Sequence, residues 1–282
     1  MIQSNVAALK ARTLTVMVLT VLLAMPSAWA APVTDFASCR KLAEQAPAEA
    51  LSAAQAWQDH GGGEAARLCL AEAQFLHGDF AAAGEALEAL ASGGSPKTAA
   101  QVANLYDRAG LSWLRAGDTD RAERLMTSAL SKLPGDSDLL IDRALVRAEG
   151  RHYRGAVDDL SLVLKSTPRR ADIYLYRAEA YQALNQLDQA MADTEHVLTL
   201  KPKDGEALVL RGTLHALSGD ATGARLDWRD VIQREPDSAN GKAAAQRLSR
   251  LDAAPTAVTP PAAAPSAPTP ASGDKTNGTA RP

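Results

Sequence analysis

From residue 35 to residue 252, apolar side chains recur every three or four positions, in segments of about a dozen residues parted by short polar breaks. That spacing follows one face of an α-helix and not the alternation of a strand. The breaks carry turn residues, Gly117-Asp118, Gly150-Arg151, Asn185-Gln186 and Gly219-Asp220. Gly and Asn tolerate the positive φ that a short turn between helices needs. Four prolines, Pro134, Pro168, Pro202 and Pro236, stand 34 residues apart. Proline cannot extend a helix, so each ends one helix and opens the next turn. The pattern predicts helix–turn–helix hairpins that repeat every 34 residues.

With each proline counted as position 32, blocks begin at Ala103, Ser137, Ala171 and Gly205. Position 8 is then Gly110, Ala144, Ala178 and Gly212, and position 20 is Ala122, Ala156, Ala190 and Ala224. Small residues there let two helices approach closely. Position 24 holds Met126, Leu160, Thr194 and Trp228, and position 27 holds Ala129, Val163, Val197 and Val231, side chains suited to the seam between neighbours. In this register residues 103–238 resemble the tetratricopeptide repeat family. The resemblance implies an all-α fold, a right-handed α-solenoid of five to six hairpins closed by a C-terminal capping helix. It also implies that the chain holds another molecule and does not transform one.

The likeness continues upstream at lower quality, over residues 31–102. Ala71, Gly78, Phe80 and Ala83 occupy positions 8, 15, 17 and 20 of a block starting at Glu64, which lacks the closing proline. Ser95-Pro96 reads as a helix cap, so the following helix is expected to start early and run about two turns longer than standard. A degenerate first hairpin is expected near 35–46 and 48–59. Downstream, Ala244, Ala245, Leu248 and Leu251 put an amphipathic helix at 239–252, fit to cover the last repeat.

The two ends differ from this core. Lys10 and Arg12, the apolar run Leu14–Ala24 and Ala28-Trp29-Ala30 read as a signal peptide over residues 1–30, cleaved after Ala30. The competing reading is an uncleaved anchor, although eleven apolar residues are few for a bilayer. Export to the periplasm or the medium is expected, with no stable membrane insertion afterwards. Residues 253–282 include seven prolines among Ala, Thr, Ser and Gly and lack apolar periodicity, the composition of a disordered spacer.

Cys39 and Cys69 fall on the first helices of consecutive hairpins, and export makes oxidation to a disulfide reasonable. Closing a loop of that length would stabilise the fold by roughly 3–4 kcal/mol in the chain-entropy view. Two buried free thiols are the alternative. Without Lys10 and Arg12 the chain has 28 basic and 33 acidic residues, a balance that disfavours nucleic acid as a partner.

No catalytic constellation is found. The five histidines, His60, His77, His152, His196 and His215, are scattered singly. Gly61-Gly62-Gly63 has neither the preceding strand nor the following Lys of a phosphate-binding loop. Asp158 and Asp159 point about 100° apart on one helix and cannot act as a facing acid–base pair. Neither a cofactor nor a metal is expected, and the chain reads as a non-enzyme.

Instead, the resemblance points to a groove lined by positions 2, 5, 9, 12 and 13 of the first helices. In the first block these are Asn104, Asp107, Leu111, Leu114 and Arg115. The second has Asp138, Ile141, Leu145, Ala148 and Glu149. Asp172, Leu175, Glu179, Gln182 and Ala183 follow, then Glu206, Val209, Thr213, Ala216 and Leu217. Aliphatic and acidic side chains mixed in this way suit a peptide with apolar anchors and some basic residues. The Lys and Asn with which chaperone-tail binders of the family hold a terminal carboxylate are missing at positions 5 and 9. A protein or peptide of the cell envelope is the expected partner. An accessory role in polysaccharide or cell-wall assembly, or self-association through the last repeat, are the other uses considered.

Overall fold

The computed structural model describes residues 33–93 and 95–253, and within them every regular element is an α-helix. The expected signal segment, and the Pro-rich stretch after residue 253, lie outside the described residues. The helices gather into two compact units divided after Lys132, two residues before Pro134. The first holds α1 (Phe36–Gln45), α2 (Pro47–Asp59), α3 (Gly63–His77), α4 (Phe80–Ser92), α5 (Ala99–Ala116) and α6 (Thr119–Lys132). The second holds α7 (Ser137–Glu149), α8 (Tyr153–Ser166), α9 (Ala171–Ala183), α10 (Leu187–Leu200), α11 (Gly205–Leu217), α12 (Ala221–Arg234) and α13 (Ala239–Ala253). Consecutive helices pair as six hairpins, and α13 lies against α11 and α12. Within each unit these hairpins stack as expected of an α-solenoid.

Close approach inside a hairpin rests on the small residues that the register singles out. Ala83, Ala122, Ala156, Ala190 and Ala224, all at position 20, have no solvent exposure. Position 8 is matched in size to position 24. A Cβ on Gly212 would lie 2.5 Å from Trp228 Nε1, and one on Gly110 would lie 2.9 Å from Met126 Cε. Where position 8 is Ala144 or Ala178, position 24 carries the smaller Leu160 or Thr194. Interiors packed to crystal density require this kind of compensation.

The turns obey the register more strictly than their composition does. Position 15 takes a positive φ in five hairpins: Gly78 (102°), Gly117 (87°), Arg151 (63°), Asn185 (58°) and Gly219 (85°). In the Gly150-Arg151 turn the left-handed residue is therefore Arg151, not the glycine, whose φ is −73°. Position in the repeat dictates this backbone angle, and Arg151 accepts the steric cost that Gly would avoid.

One helix start also differs from expectation. Ser95 does not cap α5, and Pro96 stays outside it. The cap is Thr98, whose Oγ1 accepts from Gln101 N (3.2 Å) while Thr98 N donates to Gln101 Oε1 (2.8 Å). This reciprocal arrangement satisfies two helix-end groups at once, more than Ser95 alone could do. Helix α5 has 18 residues against 13 in α7, α9 and α11, about one and a half turns longer.

In the first unit Cys39 of α1 and Cys69 of α3 are joined by a disulfide with a Cα–Cα distance of 5.9 Å, and both are fully buried. That separation is ordinary for a bridge.

Candidate partner-binding surface

First helices present a surface only if their rotation is fixed, and in the second unit a buried charge pair fixes it. Arg143, Arg177 and Arg211 occupy position 7, and Asp159, Asp193 and Asp227 occupy position 23 on the second helix of the same hairpin. Arg143 donates from Nε and Nη2 to the two oxygens of Asp159, at 2.9 and 2.7 Å. Arg177 meets Asp193 at 2.7 and 2.8 Å, and Arg211 meets Asp227 at 2.9 and 2.7 Å. Asp159, only 1% exposed, also accepts from Arg147 Nη1 at 2.7 Å. These hydrogen bonds hold the Arg177 and Arg211 guanidinium groups above their usual pKa, with burial opposing them. A two-pronged fork sets orientation as well as distance, so each first helix is locked against its partner. Sequence reasoning overlooked these three pairings; the available signal was an Arg and an Asp, 16 apart, in phase through three blocks.

The expected groove residues are divided between the units. Asp107, Leu111, Leu114 and Arg115 belong to α5 of the first. There Asp107, Leu111 and Leu114 are half-buried, and the Arg115 guanidinium lies 4.9 Å over the Phe80 ring. The others lie on α7, α9 and α11 of the second unit. Position 5 is interior: Ile141, Leu175 and Val209 are 9%, 5% and 8% exposed. Leu175 and Val209 join the core built around Trp228 and Val231. Thr213 is half-buried and donates its hydroxyl to Val209 O at 2.7 Å.

What stays open on α7, α9 and α11 is the last turn and, apart from half-buried Asp172 and Thr213, positions 2 and 9. Leu145 is 39% and Leu217 56% exposed, Glu149, Glu179 and Glu206 are exposed, and Gln182 is half-buried. Glu179 is accessible to solvent yet crowded by protein. Burial first, then repulsion from Glu206, raises its carboxyl above the ordinary value. Asp172 behaves oppositely, since a hydrogen bond from Arg170 lowers it. Arg170 also feels exposed Asp138, so Asp138, Arg170 and Asp172 form one charged group. None of the groove positions in this unit is Lys or Arg. The surface is thus aliphatic and acidic, with Arg170 at its edge.

Among the described residues no three His, Cys, Asp or Glu side chains are grouped to hold a metal, and no helix is long and apolar enough to cross a membrane.

Comparisons with known proteins agree with this architecture. No protein-family profile matches the chain. Tetratricopeptide repeat protein 36 of Danio rerio is 30% identical over 126 residues, spanning 36% of this chain and 67% of that protein. The DnaJ homolog subfamily C member 7 homolog of Schizosaccharomyces pombe is 31% identical over 98 residues, spanning 34% of this chain but only 21% of that longer protein. Among solved structures, MamA (residue 41 to the end) from Desulfovibrio magneticus RS-1 superposes with a TM-score of 0.55 at 18% identity, over 62% of this chain and 97% of that one.

Proposed function

The chain belongs to the tetratricopeptide-repeat family, and on that premise we propose that it is a non-enzymatic adaptor that holds a protein or peptide on the first-helix face of its second unit. The observation that carries this reading is the selective exposure on α7, α9 and α11. The register's aliphatic position 5 is buried, while Leu145, Leu217, Glu149, Glu179 and Glu206 remain open to solvent. Exposed leucines among acidic groups suit a partner that offers apolar anchors and basic side chains. The pattern at the beginning of the chain, with Lys10, Arg12 and the run Leu14–Ala24, supports a working place in the bacterial envelope, outside the cytoplasmic membrane.

The test is affinity capture from envelope extract with the purified protein and with two variants, Leu145→Glu and Glu179→Arg. Both sites are exposed, so both variants should keep the wild-type circular dichroism. Partners common to the wild type and lost from both variants support the reading. Recovery of the same partners by both folded variants removes the surface from consideration. Fractionation of cells answers the compartment separately, and a cytoplasmic protein with an intact N-terminus would refute export.

A further inference from the structure

The N-terminal hairpin is held on the first unit by little apart from one covalent bond. Between residues 33 and 79 the buried apolar residues are Val33, Cys39, Cys69 and alanines, so no side chain larger than Val is buried there. Elsewhere the interior holds Leu87, Leu90, Met126, Leu160, Ile173 and Trp228. The larger apolar groups of this region, Phe36, Leu42, Leu51, Trp57 and Leu70, are only partly buried around the alanines and cysteines. Methyl groups remove little surface from water, so docking of α1 and α2 gains little from burial.

Polar links do not make up the difference. The side-chain hydrogen bonds of α1 and α2 are local: Ser38 with Asp35, Gln55 with Asp59, and His60 with Ala56. The ion pair of α1, Arg40 with Glu44, also stays within its own helix. Among the described residues no side-chain hydrogen bond or ion pair ties α1 or α2 to α3. Helix α2 also starts at Pro47 without a side-chain cap. The Cys39–Cys69 bond, which spans α1 and α3, is therefore the strong cross-link of this end.

We propose that this disulfide is a redox lock: oxidised, it holds the α1–α2 hairpin on α3, and once reduced it releases that hairpin while the rest of the protein stays folded. Both sulfurs are fully buried, so attack follows a local opening of α1. A dithiol reductant supplies the chemistry. One of its thiolates attacks a protein sulfur, breaking the Cys39–Cys69 bond and forming a mixed disulfide. The second thiolate then displaces the protein sulfur, closing the reductant as its own disulfide. Two electrons and two protons pass to the protein, leaving thiols at Cys39 and Cys69. Release uncovers the α3 face that carries Ala66, Cys69 and Ala73.

Hydrogen exchange with mass spectrometry tests this on the purified protein, oxidised and after dithiothreitol, with the thiol state confirmed by intact mass. Peptides from α1 and α2 should exchange at least tenfold faster after reduction, while those from α4 to α12 keep their protection. A Cys39→Ala, Cys69→Ala double variant under oxidising conditions should match the reduced protein, and its circular dichroism reports whether it folds. Unchanged protection of α1 and α2 in the fully reduced protein overturns the proposal. So does a loss of protection spread through α3 to α6, which would make the bond a requirement of the whole unit. Free thiols in the protein as isolated under oxidising conditions would overturn it as well.

Discussion

In the second unit each of three hairpins carries a two-pronged Arg–Asp pair across its own two helices, whereas the same two positions in α5 and α6 of the first unit are Ala109 and Leu125. The first unit spends its charges between hairpins. Arg108 of α5 reaches Glu72 of α3, Arg121 of α6 meets Glu88 of α4 at 2.9 Å, and Trp113 Nε1 donates to that same Glu88 at 2.6 Å. Arg121 also stacks 3.8 Å over the Trp113 ring. One template therefore accepts two fastening schemes, one inside the repeat and one between repeats. Hairpin geometry depends on small residues at positions 8 and 20; where the polar cross-links go is free to vary.

The strongest way to break this comparison is to remove one carboxylate of the second unit. Asp227→Ala leaves Arg211 half-buried without its partner and should lower the unfolding free energy by about 3 kcal/mol. Urea unfolding followed by circular dichroism and by Trp228, the single tryptophan after residue 132, reads the effect. Replacing both partners, Arg211→Met with Asp227→Leu, should recover most of that loss, because apolar pairs of similar volume are tolerated. A full loss in the double variant would mean that the charges themselves are needed.

Next in size are the mid-helix glycines beneath Trp113 in the first unit and Trp228 in the second. A Cβ on Gly84 would lie 2.5 Å from Trp113 Nε1, the same separation found for Gly212 and Trp228. Gly84→Ala and Gly212→Ala should each cost about 1–3 kcal/mol by overpacking. Gly110→Ala should cost less, since the flexible end of Met126 can move aside. Thermal melting of the three variants orders them, and equal losses would contradict the size matching.

Smaller again is the turn at Arg151. Arg151→Gly removes a left-handed non-glycine residue and should stabilise the second unit by about 0.5 kcal/mol after the entropy cost of glycine. The equivalent change in the first unit is unavailable, since Gly117 already holds that place. A lower melting temperature for Arg151→Gly would show that the side chain contributes more than its backbone costs.

The smallest effect is electrostatic and depends on pH. The folded carboxyl of Glu179 sits above its reference of 4.5, so the native state binds its proton more tightly than the unfolded chain. Stability therefore declines as pH rises from that reference through the folded value. Glu179→Gln should raise the melting temperature slightly near pH 7 and leave it unchanged near pH 4, and calorimetry at both values checks the sign.

Which parts were legible in the chain follows from how far apart the interacting residues lie. The 34-residue step, the buried alanines at position 20 and the capping helix are visible because each is a local or periodic property. The Arg–Asp pairs escaped notice because residues 16 apart share no face of a single helix and meet only once the hairpin folds. Arginine in mid-helix also resembles ordinary solvated charge. Among the expected groove residues Leu145, Glu179 and Glu206 are exposed, whereas those at position 5 of α7, α9 and α11 are buried. Leu175 and Val209 are buried in a core shared by several helices of the second unit, which no single helix can reveal.

The Arg–Asp pairs have a consequence for how such a chain can lengthen or shorten over generations. Each closes within one block, so a tandem copy gained by duplication arrives with its acid and base already matched. Excision of a whole block likewise strands no charge of this pair. A length change between positions 7 and 23 would separate arginine from aspartate, and selection against that loss would help preserve the 16-residue spacing inside each block.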